Sequence, residues 1–238
     1  MDIQGKLAVV TGAAVGIGRA IAQRLAAEGA QVVVADIDAA GGHETCTSIG
    51  PAARFAEVDL RSDAAVAELM SCQPHILVNN AGGGAQLAPC FPEAPVERWS
   101  ASLDLNLRAP MLATQLALDG MQQAGGGAIV NVGSTAGLGF EGHSSPEYSA
   151  AKAGLIRFTA TLAPLATTHR VRVNCVVPDW VATERGVQER AMLPATERGA
   201  AQVSLAAVTD AVVQFVRDDS AAGRVVLLDR GEPPRWLN

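Results

Sequence analysis

Hydrophobic residues in this chain gather in short continuous runs, and the stretches between them repeat at helical spacing. Leu7 to Val10 and Gln31 to Ala35 have the apolar density of strands covered on both faces. Arg54 to Leu60, a short one with an acid at its end, Ile76 to Val78, Ala128 to Val132, Val171 to Val176 and Arg224 to Asp229 also read as strands. The intervening segments read as helices: Arg19 to Ala26, Asp63 to Met70, a long one over Glu97 to Met121, Tyr148 to about Thr168, and Thr209 to Val216. Pro164 lies inside the fourth of these and is expected to kink it. Thr183 onward, over about 183–207, reads as an irregular lid. Strand alternating with helix predicts an α/β fold, a doubly wound Rossmann domain with a seven-stranded parallel sheet flanked by helices. No linker or repeat interrupts the pattern, so residues 1–238 read as one domain.

Composition narrows the partners. The net charge of −6 disfavours a general nucleic-acid binder and an anionic membrane surface. No stretch approaches the ~20 apolar residues of a membrane span, and Asp2 spoils a leader reading of the N-terminus. The expectation is a cytoplasmic protein. Cys46, Cys72, Cys90 and Cys175 are scattered, and the four histidines form no paired motif, so no metal site is expected.

Chemistry enters at two places. Thr11 to Gly18 is a glycine-rich turn between strand and helix, which lets a pyrophosphate approach the helix N-terminus. Asp36 closes the next strand 18 residues beyond Gly18, about where such a fold sets an acid against the adenosine ribose. An acid there accepts from the 2′-hydroxyl and repels a 2′-phosphate, so NAD is expected over NADP. Elsewhere, Tyr148 is the only tyrosine, and Lys152 is one of two lysines. Four residues apart on a helix, their side chains share one face. An ammonium beside a phenol favours phenolate and makes tyrosine a usable proton donor and acceptor.

In combination these motifs resemble the short-chain dehydrogenase/reductase family, in its single-domain branch, from Lys6 to about Gly231. The resemblance rests on Gly12, Gly16, Ile17 and Gly18, on Asp59-Leu60, on Asn79-Asn80-Ala81-Gly82, on Asn106, on Ser134, on Tyr148 and Lys152, and on the segment from Pro178 through Val181 to Thr183. It implies hydride transfer between NAD(H) and a secondary alcohol or ketone. Tyr148 would carry the proton, Lys152 would tune Tyr148 and hold the ribose, Ser134 would bind the substrate oxygen, and Asn106 would anchor a proton relay. It assigns Gly12, Gly16, Ile17, Gly18, Asp36, Asp59, Leu60, Asn80, Ala81, Gly82, Tyr148, Lys152, Pro178, Val181 and Thr183 to the cofactor. It also implies a homodimer or homotetramer.

Two other functions remain open, an NADP-dependent ketoreductase and a non-catalytic NAD-binding redox sensor. Residues expected to line the substrate side are Gly83 to Gln86, Thr135, Phe140 to His143, Trp180 and the lid, with Arg185, Met192 and Leu193. Four features depart from the family pattern. Asp179 and Arg230 stand where glycine is usual, Pro164 and Arg170 sit at the end of the catalytic helix, and the Ser134–Tyr148 spacing is one residue longer than the commonest.

Overall fold

A computed structural model describes residues 1–83, 89–184, 187 and 202–238 of the chain. Its sheet runs in the order β3-β2-β1-β4-β5-β6-β7-β8. The strands are β1 (Leu7–Thr11), β2 (Gln31–Asp36), β3 (Ala53–Glu57), β4 (Ile76–Asn79), β5 (Gly127–Val132), β6 (Val171–Pro178), β7 (Val225–Leu228) and β8 (Arg235–Trp236). The first seven pair in parallel; β8 pairs antiparallel to β7.

The side-chain period of a strand sorts each apolar run onto two faces. Ala8 and Val10, Val32 and Val34, and Ile76 and Val78 enter one core. That core is covered by α1 (Gly16–Ala27) through Ile21 and Leu25, and by α8 (Leu205–Arg217) through Val208, Val212 and Phe215. Val9, Val33, Leu77 and Ile129 enter the other core. There α3 (Asp63–Met70) contributes Val66 and Leu69, and α5 (Ala109–Gln123) contributes Ala113, Ala117 and Met121. Strands buried on both faces require continuous hydrophobicity, which is why the runs were readable.

Four expectations change. The sheet has eight strands among the described residues, because the chain turns back after Pro233-Pro234 and lays Arg235–Trp236 on β7. A two-residue strand carries no periodicity. The helix read over Glu97 to Met121 is α4 (Val96–Leu103) and α5, joined by a π-helical turn, Asp104–Arg108. The helix read from Tyr148 is α6 (Pro146–Thr161), and it ends before Pro164, whose missing N–H and bulky ring prevent continuation. A short α7 (Leu165–Thr168) follows. Of the lid, residues 205–207 are the first turn of α8, and most of the rest lies outside the described residues. A further helix, α2 (Ala39–Ile49), was hidden by its two glycines. At Gly42 a Cβ would stand 2.1 Å from the Phe55 ring, so close packing on β3 explains the residue.

Arg170 takes the left-handed conformation, φ +58°, at the turn into β6. Side chains with a Cβ are strained there, by roughly 1–2 kcal/mol. Arg170→Gly is therefore expected to stabilise the protein by ~1 kcal/mol, once the extra freedom of glycine in the unfolded chain is set against the relieved strain. Chemical denaturation should move its midpoint upward; an unchanged or lowered midpoint would show that the arginine side chain holds the turn.

Candidate active site

The C-terminal ends of the parallel strands open into one cleft of about 1350 Å³. It sits where the strand order reverses between β1 and β4, the position where α/β sheets bind ligands. Its volume exceeds the ~300–1,000 Å³ of ordinary small-molecule pockets, which suits a dinucleotide beside a substrate.

One wall is the glycine turn. The Thr11 hydroxyl accepts the backbone N–H of Asn80 and of Ala81, both at 3.1 Å. The Asn80 amide donates to the Thr11 and Gly12 carbonyls at 2.9 and 3.0 Å. These bonds press the end of β4 against the turn. A Cβ on Gly12 would lie 2.6 Å from the Ala81 Cα, and one on Gly18 would lie 2.1 Å from the Gly12 oxygen. Neither position admits a side chain. Helix α1 then begins with Val15 at its N-cap, which supplies no side-chain cap. Its first N–H groups are thus left for a ligand, and the helix dipole favours an anionic one.

Asp36 ends β2 with both carboxylate oxygens fixed. One accepts from the Ala14 N–H at 2.8 Å and the other from the Asp38 N–H at 3.1 Å. Arg19 lies under the same turn but is committed. Its Nε donates to the Ala14 carbonyl and to the Thr45 hydroxyl, and its Nη2 pairs with Glu44 at 3.2 Å. Asp59 is gripped by Arg61 at 2.7 Å, and the guanidinium holds its carboxyl below the usual carboxylate range.

At the other end stand the candidate catalytic groups. Ser134 precedes a 3₁₀ turn, Thr135–Gly137, and its hydroxyl accepts the Ala136 N–H at 3.2 Å. A Cβ on Gly137 would meet the α6 backbone at 2.6 Å, and the Ser149 hydroxyl donates to the Ala136 carbonyl at 2.6 Å. These two contacts dock the Ser134 turn onto α6 and set its register with Tyr148. The His143 ring stacks beside Tyr148, with centroids 6.1 Å apart.

Lys152 is buried, and its ammonium lies 5.7 Å from the centre of the Tyr148 ring. Its Nζ donates to the Val132 carbonyl at 2.9 Å, at the end of β5. Burial lowers its pKa to about 8. The neighbouring Cys175 is buried too, and its thiol is pushed up to about 12, so it is a neutral core side chain. Asn106 sits in the π-helical turn, fully buried. Its Oδ1 accepts from the Gly83 N–H, and its Nδ2 donates to the Gly83 and Ser102 carbonyls, all at 2.9–3.0 Å. A Cβ on Gly82 would touch both the Asn106 Oδ1 and the Lys152 Nζ, so that glycine separates them by the least possible bulk.

Every catalytic and cofactor-binding candidate named from the sequence lines this cleft except Asn106, which is buried outside its lining. On the substrate side, Thr135, Glu141, His143 and Trp180 line it too. Phe140 does not: its side chain is wholly exposed, so it is removed from the apolar lining. Residues 84–86, Arg185, Met192 and Leu193 lie outside the described residues. Sequence reasoning missed the clamp made by the Thr11 hydroxyl and the buried chain Asn79–Asn131–Thr159, with links of 2.8 Å. Polar residues inside otherwise apolar strands were the available signal.

Lys152 also sets a pH dependence. The folded protein releases its proton near pH 8 and the unfolded chain near 10.5. Between those values the unfolded state binds more protons, so this group makes stability rise with pH; below 8 its burial cost is fully present. Lys152→Met should raise stability at pH 7 by ~1–2 kcal/mol, the relieved desolvation outweighing the lost Val132 bond, and should flatten that rise. Unfolding curves at pH 7 and pH 10 check both; a destabilised variant at pH 7 would contradict the assignment.

Comparison with known proteins agrees with this geometry. Residues 6–194 match the family described as short chain dehydrogenase. The chain is 34% identical over 238 aligned positions to a D-beta-hydroxybutyrate dehydrogenase of Cupriavidus necator, covering 95% of this chain and 91% of that one. It is 37% identical over 196 positions to a D-threitol dehydrogenase of Mycolicibacterium smegmatis, covering 77% and 73%. Among solved structures, a 3-ketoacyl-(acyl-carrier-protein) reductase from Brucella melitensis complexed with NADH superposes with a TM-score of 0.84. It is 26% identical, over 96% of this chain and 98% of that one. A glycine turn that excludes side chains, an uncapped helix start and a buried lysine beside tyrosine thus occur on a chain that belongs to the short-chain dehydrogenase/reductase family.

Proposed function

We propose that the protein is an NAD-dependent oxidoreductase acting on a secondary alcohol or its ketone. NAD, when bound, takes up or delivers a hydride at nicotinamide carbon 4. The observation that carries the reading is the placement of Lys152, a buried cation beside the Tyr148 ring in a dinucleotide-sized cleft.

The residues divide the work. Tyr148 exchanges the proton of the substrate oxygen. The Lys152 ammonium, still protonated at pH 7, stabilises the phenolate that remains after donation. Val132 engages one of its donors, and the remaining ones suit the hydroxyls of the nicotinamide ribose. The Ser134 hydroxyl donates to the substrate oxygen as charge develops on it. Asn106 holds Gly83 and keeps the space beside Lys152 open for a proton path. Gly12, Gly16, Ile17 and Gly18 receive the pyrophosphate, and Asp59, Leu60, Asn80, Ala81 and Gly82 border the adenosine-to-nicotinamide run. Pro178, Val181 and Thr183 cover the nicotinamide side. His143, whose Nδ1 lies 3.0 Å from both the N–H and the carbonyl of Ser145, offers its Nε2 to the substrate.

NAD is favoured over NADP by charge. Asp36 presents a fixed carboxylate to the ribose, and Arg19, the cation that could receive a 2′-phosphate there, is held by Ala14, Thr45 and Glu44. Like charges in such contact cost several kcal/mol. No helix of the described residues is long and apolar enough to cross a membrane. Assembly as a homodimer or homotetramer through α4, α5 and α6, with small-molecule substrates, completes the reading.

The test is nicotinamide reduction across a panel of secondary alcohols, with NAD and NADP in parallel. Turnover with NAD should exceed that with NADP by at least about a hundredfold in kcat/KM, and Asp36→Ala should narrow the ratio. A preference for NADP in the unmodified protein would overturn the cofactor reading; NAD binding without turnover of any alcohol would favour a sensor.

A further inference from the structure

Asp179 and Arg230, both standing where glycine is usual, meet each other. Asp179 follows β6, and its side chain is only 9% exposed. The Thr135 hydroxyl donates to one carboxylate oxygen at 3.0 Å. The Arg230 Nε donates to the other. The Asp179 backbone N–H donates to the Leu228 carbonyl at 3.0 Å. One residue thus ties together the ends of β5, β6 and β7. Asp179 and Thr135 line the cleft beside Ser134, whereas Arg230 is not among its lining residues.

A carboxylate this buried is tolerated only when paired and hydrogen-bonded. It also stands on the wall of a cleft whose dinucleotide is anionic. Without its cation it would repel that ligand and release the Thr135 turn. With its cation it is a neutral brace across three strand ends.

We propose that Asp179 and Arg230 form a charge-compensated clamp that sets the Ser134–Thr135 turn and the Pro178–Val181 segment around the nicotinamide half of the cleft. Arg230 is a positioning residue acting through Asp179. The clamp rests on the dinucleotide reading above. It explains why two departures from glycine coexist: each alone is costly, and together they replace the backbone freedom of a glycine turn by a fixed ion pair.

The experiment is a double-mutant cycle read by NADH titration, using energy transfer from tryptophan to bound NADH, with AMP as a probe of the adenosine half. Arg230→Ala should weaken NADH binding about tenfold or more, because it bares the carboxylate. Asp179→Ala/Arg230→Ala should regain most of that loss. Arg230→Lys, which keeps the charge, should stay within a fewfold of the unmodified protein. AMP should bind all of them alike, which a general loss of structure would not allow. If all variants bind NADH like the unmodified protein, or if the double variant is as weak as the two single losses multiplied, the clamp is wrong while the cofactor reading stands. If the unmodified protein fails to bind NADH, both fall.

Discussion

The burial of one cation, Lys152, organises the cleft. Lys152 has its ammonium out of water, bonded to the Val132 carbonyl and facing the only tyrosine. Burying such a charge costs free energy unless the surroundings answer it. Here the surroundings are the open ends of a parallel sheet, where the last carbonyl of β5 serves as an acceptor. Helix α6 carries both side chains on one face. Gly137 and Gly82 let the Ser134 turn and the Asn106 turn close in without bulk. Strand ends, helix register and glycine positions are all conditions for holding one phenol beside one cation.

The two halves of the cleft solve different electrostatic problems. The glycine half presents N–H groups at an uncapped helix start and holds Asp36 and Asp59 by backbone and arginine contacts. Free N–H groups at a helix start suit an anionic ligand. The other half holds charges that are answered internally: the Lys152 ammonium by the Val132 carbonyl, and Asp179 by Arg230. The π-helical turn at Asp104–Arg108 belongs to this second half, because the widened turn places Asn106 beside Gly83 where a regular helix would carry it past.

Much of this was legible in the sequence, for physical reasons. Strands buried on both faces must be apolar throughout, so β1, β2, β4, β5, β6 and β7 stood out. The glycine turn was legible because Gly12 and Gly18 have no space for a side chain. Helix α2 was not, since Gly41 and Gly42 lower helix propensity and are present only because Asp38, Ala14 and Phe55 crowd them. The break in the long helix left no trace because every residue of Asp104–Arg108 is an ordinary helix former or tolerates the helix. Phe140 misled because an exposed aromatic and a pocket aromatic have the same letter. Asp179 and Arg230 were each visible as departures, but their pairing depends on β6 and β7 lying side by side, which is a property of the folded sheet.

In the proposed function Tyr148 moves the proton while the rest of the cleft holds the cofactor. Stopped-flow comparison of Tyr148→Phe with the unmodified protein, measuring NADH affinity and single-turnover hydride transfer on an accepted alcohol, tests it most directly. The account predicts NADH affinity within a fewfold of the unmodified protein and hydride transfer slowed by about a thousandfold or more. Hydride transfer at near the original rate in that variant would contradict it.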